Sequence, residues 1–163
     1  MNSLQKDRPL ISDLTPWRNS KGYADPTAYK ALRAVEISEF GHRPLTNICS
    51  PYSGDVQMNV ELARDLSAYA VDCRRIPLAP HLLFPQFMDD TDPWDRELAM
   101  FMGRVLLSKC EAMWVYTPRV SPGMKTEIGW AHQLELPITY FDHSFAEVNL
   151  NDLSLIHISE PTR

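Results

Sequence analysis

The chain has 163 residues, 44% of them apolar, and a formal net charge of −5 with no basic run. That length fits one domain with a sizeable core, and the acidic balance argues against a nucleic-acid polymer as partner. No run is long enough to span a bilayer, the N-terminus lacks a signal-peptide pattern, and Cys49, Cys73 and Cys110 form no Cys-x-x-Cys pair, so a disulfide scaffold is disfavoured and a reducing cytoplasm is expected.

Residues 1–22 are polar, carry Pro9, Pro16 and Gly22, and read as loosely ordered. Asp25-Pro26 opens a helix that runs to about Glu39, and Gly41 and Pro44 end it. A short strand covers 45–50, and Pro51-Tyr52-Ser53-Gly54-Asp55 forms a loop. A second helix is predicted over 56–74, with Leu62, Leu66, Tyr69 and Cys73 as its inward stripe. A brief strand at 76–79 leads into a loop or broken helix at 81–91. Asp92-Pro93 starts a helix reaching about Lys109. A strand at 112–116, a helix at 122–134 and a strand at 137–141 complete the pattern. Cys49 and Cys110 fall in or beside core elements and read as small buried hydrophobes.

Strand and helix alternate, and most strands are continuous apolar runs, so a parallel sheet covered on both faces is expected. Right-handed crossovers leave few topologies. The expected fold is α/β, a flavodoxin-like three-layer arrangement with a short sheet in order 2-1-3-4 and an extra N-terminal helix. The division is 1–44 as an N-terminal extension, 45–145 as the α/β domain, and 146–163 as a tail. From about 153 the tail resembles read-through translation of a sequencing adapter, so it and His157 are set aside. In this strand order ligands bind above the carboxyl ends of strands one and three. That placement brings the 50–55 loop next to the 117–127 loop.

Residues 112–127 carry the most information. Ser121 is a plausible N-cap and Pro122 suits the first helical position. Gly123 leaves the first turn open, and the amides of such a helix start attract an anion. Glu127 lies one turn in, on a face shared with Ala131 and Leu134, and should point toward the sheet edge. Burial would raise its pKa and the helix start would lower it, so the carboxylate could stay ionised and reactive. Taken alone it is also an ordinary helix-start acid, favoured by roughly 0.3–1 kcal/mol.

Three stretches, Ile48-Cys49-Ser50-Pro51-Tyr52-Ser53-Gly54-Asp55 with Asn59, Ala79-Pro80-His81-Leu82-Leu83-Phe84-Pro85-Gln86-Phe87, and Ser121-Pro122-Gly123-Met124-Lys125-Thr126-Glu127-Ile128, resemble a family of small proteins common in phages and mobile elements. That family in turn resembles the nucleoside 2-deoxyribosyltransferase superfamily, over roughly residues 45–141. The resemblance implies cleavage or transfer at an N-glycosidic bond. It makes Glu127 the nucleophile on the anomeric carbon and places Ser121, Gly123 and Met124 at the sugar-phosphate end. It sets Tyr52 and its loop neighbours, Ser50 and Gly54 among them, beside the base or sugar. It implies a homo-oligomer in which one subunit completes another's pocket. The enzymes carry an Asp on the helix before the third strand; here that region reads Phe101-Met102-Gly103-Arg104, and Asp95 lies further upstream.

Other residues keep two readings. His81 at a strand end either caps a buried loop or contacts substrate. Asp89, Asp90, Asp92 and Asp95 read as a solvated loop plus an N-cap, with no metal-ligand spacing. Arg96 pairs with that cluster or reaches a ligand phosphate. Phe84, Phe87, Met88 and Trp94 line an aromatic pocket, fill the core or form an oligomer contact. No Gly-x-Gly-x-x-Gly, Walker or Cys-x5-Arg pattern occurs, so dinucleotide, ATP-hydrolase and phosphatase chemistry are excluded and no cofactor is expected. The alternative to an enzyme is a nucleotide-sequestering protein that lost catalysis, such as a phage counter-defence protein. A purely structural module is the third possibility.

Overall fold

The computed structural model describes residues 26–149, together with Lys21 and Tyr23. The readings of residues 1–20, of Asp25 and of the segment from 153, His157 included, lie outside them. The chain divides into two compact units, residues 1–42 and 43–163. In the first, α1 (Pro26–Phe40) stops at Gly41, whose φ of 78° is the left-handed backbone that ends helices.

The second unit is a five-stranded sheet in the order β2-β1-β3-β4-β5. β1 (Leu45–Cys49), β2 (Ile76–Leu78), β3 (Ala112–Tyr116) and β4 (Ile138–Phe141) are parallel, and β5 (Glu147–Val148) is antiparallel to β4. The expected 2-1-3-4 order and flavodoxin-like class hold. β5 is an addition: two residues carry no readable alternation, and the turn before it needs Phe145 at a φ of 61°.

Alternation along the strands separates two cores. Cys49, Met113, Val115 and Tyr140 face one way and pack with Leu107, Met124, Ile128 and Ala131. Ile48, Trp114 and Phe141 face the other way and pack with Leu66 and Ala70. Hence α2 (Val56–Asp72) covers one face, while α4 (Pro93–Leu107) and α5 (Pro122–Gln133) cover the opposite one. Between β2 and α4 the chain forms a short helix, α3 (Pro80–Leu83), and a 3-10 turn over Phe84–Gln86.

Local capping explains the helix starts. Asp55, Asp92 and Ser121 each accept hydrogen bonds from first-turn amides, at 3.1, 2.8 and 3.3 Å to Met58, Trp94 and Met124. The inward face of α2 differs from the expected stripe. It runs Asn59, Ala63, Leu66, Ala70, whereas Tyr69 and Cys73 are exposed. Small residues let the helix approach the sheet closely, and Tyr69 lays its ring at the edge, 5.7 Å from Trp114 and 5.8 Å from Phe145. Leu134, expected beside Glu127, is exposed because α5 ends there.

Candidate active site

β1 and β3 end side by side, with Cys49 paired to Val115. The chain after each leaves to opposite faces of the sheet, and the two loops meet above the carboxyl ends. Asn59, buried in the first turn of α2, ties them together. Its Nδ2 donates to the carbonyls of Tyr52 (2.8 Å) and Ser53 (3.0 Å), and its Oδ1 accepts from Arg119 at 2.6 Å. On the far side Thr117 N and Oγ1 both donate to Phe141 O at 2.9 Å. The mouth between the loops is thus braced by hydrogen bonds to backbone that no single-loop substitution would replace.

Beside these loops lies a cavity of about 330 Å³, within the lower range for small-molecule pockets. Of the nine residues singled out from sequence, Ser50, Tyr52, His81, Arg96, Ser121, Gly123, Met124 and Glu127 line it. Gly54 does not; its φ of 98° makes it the residue that turns the loop. Phe84 and Met88 also line the cavity, whereas Phe87 and Trp94 are exposed and do not. Trp114 is core.

Glu127 approaches the sheet from α5. Asn47 and Cys49, two residues apart on one face of β1, hydrogen-bond its carboxyl group. Burial outweighs both bonds and pushes its pKa from the ordinary 4.5 up to about 7. Of the opposing pulls, burial is the larger, and the carboxyl is partly ionised near neutral pH. The first turn of α5 is itself mostly occupied. Pro122 has no amide hydrogen, Ser121 Oγ takes Met124 N, and Ser121 N turns to Met124 Sδ at 3.5 Å. The anion-attracting tip expected from sequence is therefore largely satisfied internally. Cys49 is the small buried group expected, and burial together with the neighbouring Glu127 holds its thiol well above the usual range.

Opposite stand Ser50 and His81, with Ser50 Oγ and His81 Nε2 2.9 Å apart. Desolvation lowers the His81 pKa to about 4, so the ring is neutral at physiological pH. Tyr52 meets it edge-on at 6.4 Å. His81 is thus bonded across to the loop after β1 and borders the cavity.

The third wall comes from residues 88–103. Asp89, Asp90 and Asp95 line it with Arg96, Met100 and Gly103. Thr91 donates to Asp89 at 2.6 Å and keeps that carboxyl below its usual range. Asp95 Oδ2 accepts from Asp89 N at 2.9 Å, which fixes its direction. Asp92 only caps α4, accepting from Trp94 and Asp95 amides. The loop reading of this cluster thus misses three carboxylates at the cavity, and Asp95 supplies a second acid to the space that holds Glu127. The signal was present: Asp95, Ala99 and Gly103 repeat every four residues, one helical face with nothing bulky beyond the acid. Arg96 is exposed and, among the described residues, makes no ion pair with its acidic neighbours. Among the described residues no three His, Cys, Asp or Glu side chains converge as a metal ion would require, and no helix is long and apolar enough to cross a membrane.

A protein family described as "Domain of unknown function (DUF7768)" matches residues 44–141. No curated protein matches. Among solved structures, the chain is similar to a 2-deoxyribosyltransferase from the psychrotolerant bacterium Bacillus psychrosaccharolyticus, at 14% identity and a TM-score of 0.49, covering 67% of this chain and 80% of that one. It is also similar to a 2-desoxiribosyltransferase from Leishmania mexicana, at 15% identity and a TM-score of 0.45, covering 72% of this chain and 89% of that one.

Proposed function

The chain belongs to the DUF7768 family, and we propose that it binds a nucleoside in the cavity and cleaves or transfers at the N-glycosidic bond, with Glu127 as nucleophile. One observation carries this reading: a buried carboxyl group with a pKa near 7 lines the cavity, with Asn47 and Cys49 hydrogen-bonded to it. Strongly perturbed acids in clefts are the usual mark of a reacting group.

In the reaction, the ionised Glu127 carboxylate attacks the anomeric carbon, and the bond to the base breaks with its electron pair leaving on the base. The departing nitrogen takes a proton, from solvent or from one of the acids on the opposite wall. Water or a second base then displaces the carboxylate, regenerating Glu127. The pathway has oxocarbenium character, which a flanking carboxylate stabilises. Ser50, Tyr52 and neutral His81 supply hydrogen bonds to hydroxyl groups without adding charge.

The lining also narrows the ligand. Asp89, Asp90, Asp95 and Glu127 face a single cation, Arg96, among the described lining residues, and the α5 tip offers little to an anion. An unphosphorylated nucleoside suits this field better than its phosphate. The exposed apolar face of α4 further supports assembly of several copies.

The test is incubation with a panel of ribo- and deoxynucleosides, their monophosphates and NAD-derived nucleotides, with detection of free base. Release from nucleosides, lost in Glu127→Ala while binding persists, is the expected result. Ligand-induced stabilisation without release from any substrate would instead leave the sequestering alternative.

A further inference from the structure

Gly103 sits deep inside α4, where glycine is costly relative to alanine. Nothing within the protein asks for it. Its φ is not positive, and a Cβ built there meets no heavy atom within 4 Å. The space that a Cβ would enter is the cavity, which Gly103 lines. Gly129 in α5 makes a natural contrast. It too has open space around a built Cβ, but it does not border the cavity.

The surroundings of Gly103 have a definite chemistry. Met100, one turn earlier on the same helix, lines the cavity, and so does Trp130 of α5. Arg104, the next residue, lies 5.6 Å over the Trp130 ring and joins the two helices at this turn. Here a bare stretch of helix backbone stands among a thioether and an indole, a setting for the flat face of a heterocycle rather than for a hydroxylated sugar.

We propose that Gly103 is a specificity-determining position: its absent side chain leaves the slot that receives the ring of the ligand's base. This deepens the nucleoside reading and rests on it.

Three variants test the proposal, Gly103→Ala, Gly103→Val and Gly129→Ala, each examined for Tm and for binding of 2′-deoxyadenosine and thymidine. Gly103→Ala and Gly129→Ala should each raise Tm by about 2–4 °C through helix propensity. Gly103→Ala should weaken the bound nucleoside by about tenfold, and Gly103→Val by more, whereas Gly129→Ala binds as the unaltered protein does. A Gly103→Ala protein that binds as tightly as the unaltered one overturns the proposal. A lowered Tm in Gly103→Ala also overturns it, since the space was then not open. If the unaltered protein binds neither nucleoside, the nucleoside reading itself fails and takes this one with it.

Discussion

At neutral pH about half of the Glu127 carboxyl groups carry a proton, because the pKa stands near 7. Holding this acid in the cavity costs stability, and the sign follows from the direction of the shift. The folded-state pKa is raised above the ordinary 4.5, so stability is full below 4.5, falls as pH rises, and reaches its lowest level above 7. The loss amounts to at most about 3 kcal/mol. Glu127→Gln should therefore be more stable than the unaltered protein at pH 8 by up to that amount, with the gap closing below pH 4.5. Urea unfolding at both pH values measures it; equal stability at pH 8 would mean that the carboxyl is not desolvated. The helix start that carries Glu127 was readable because its signals are local, an N-cap, a proline and a glycine within one turn; the role proposed for Glu127 came from the family resemblance. The roles of Asn47 and Cys49 were not readable. They lie on a different element, and only the packing of α5 on β1 brings them to the acid.

Among the elements, α4 does three jobs with three faces. Asp95, Met100 and Gly103 face the cavity, and Leu107 enters the core. Trp94, Leu98, Phe101 and Val105 form an exposed apolar stripe, with Trp94 at 70% and Phe101 at 62% exposure. Such a stripe on a solvent face marks an interaction surface. A second copy of this chain is the occupant consistent with the proposed assembly. The unaltered protein should elute and scatter light as an oligomer, and Phe101→Lys should shift it to a smaller species with the fold kept. A monomer in both cases would count against assembly through α4. The limits of α4 were legible from Asp92-Pro93, since capping depends on adjacent residues. The face of α2 was not. Its apolar repeat pointed to Tyr69 and Cys73, but closeness to the sheet selected the smaller Ala63 and Ala70 instead.

At the level of the whole molecule, strand order positions the chemistry. Parallel strands β1 and β3 lie adjacent, their following helices lie on opposite faces, and the loops between are braced by Asn59 and Arg119. The strand order and the meeting of the two loops were legible, because alternating apolar strands and helices admit few arrangements; the Asn59–Arg119 brace was not. Of the wall built by residues 80–103, His81, Phe84, Met88 and Arg96 were named from sequence, whereas Asp89, Asp90 and Asp95 were not, because they read as solvated loop and helix cap. The proposal joins the scales: the acid that this fold buries at its switch point would serve as the reacting group. The measurement that tests this most directly is the pH dependence of base release from the preferred nucleoside. The rate should rise about tenfold between pH 6 and pH 8 as Glu127 loses its proton, with a midpoint near 7. A rate that is flat across that interval, or release that survives in Glu127→Gln, would contradict it.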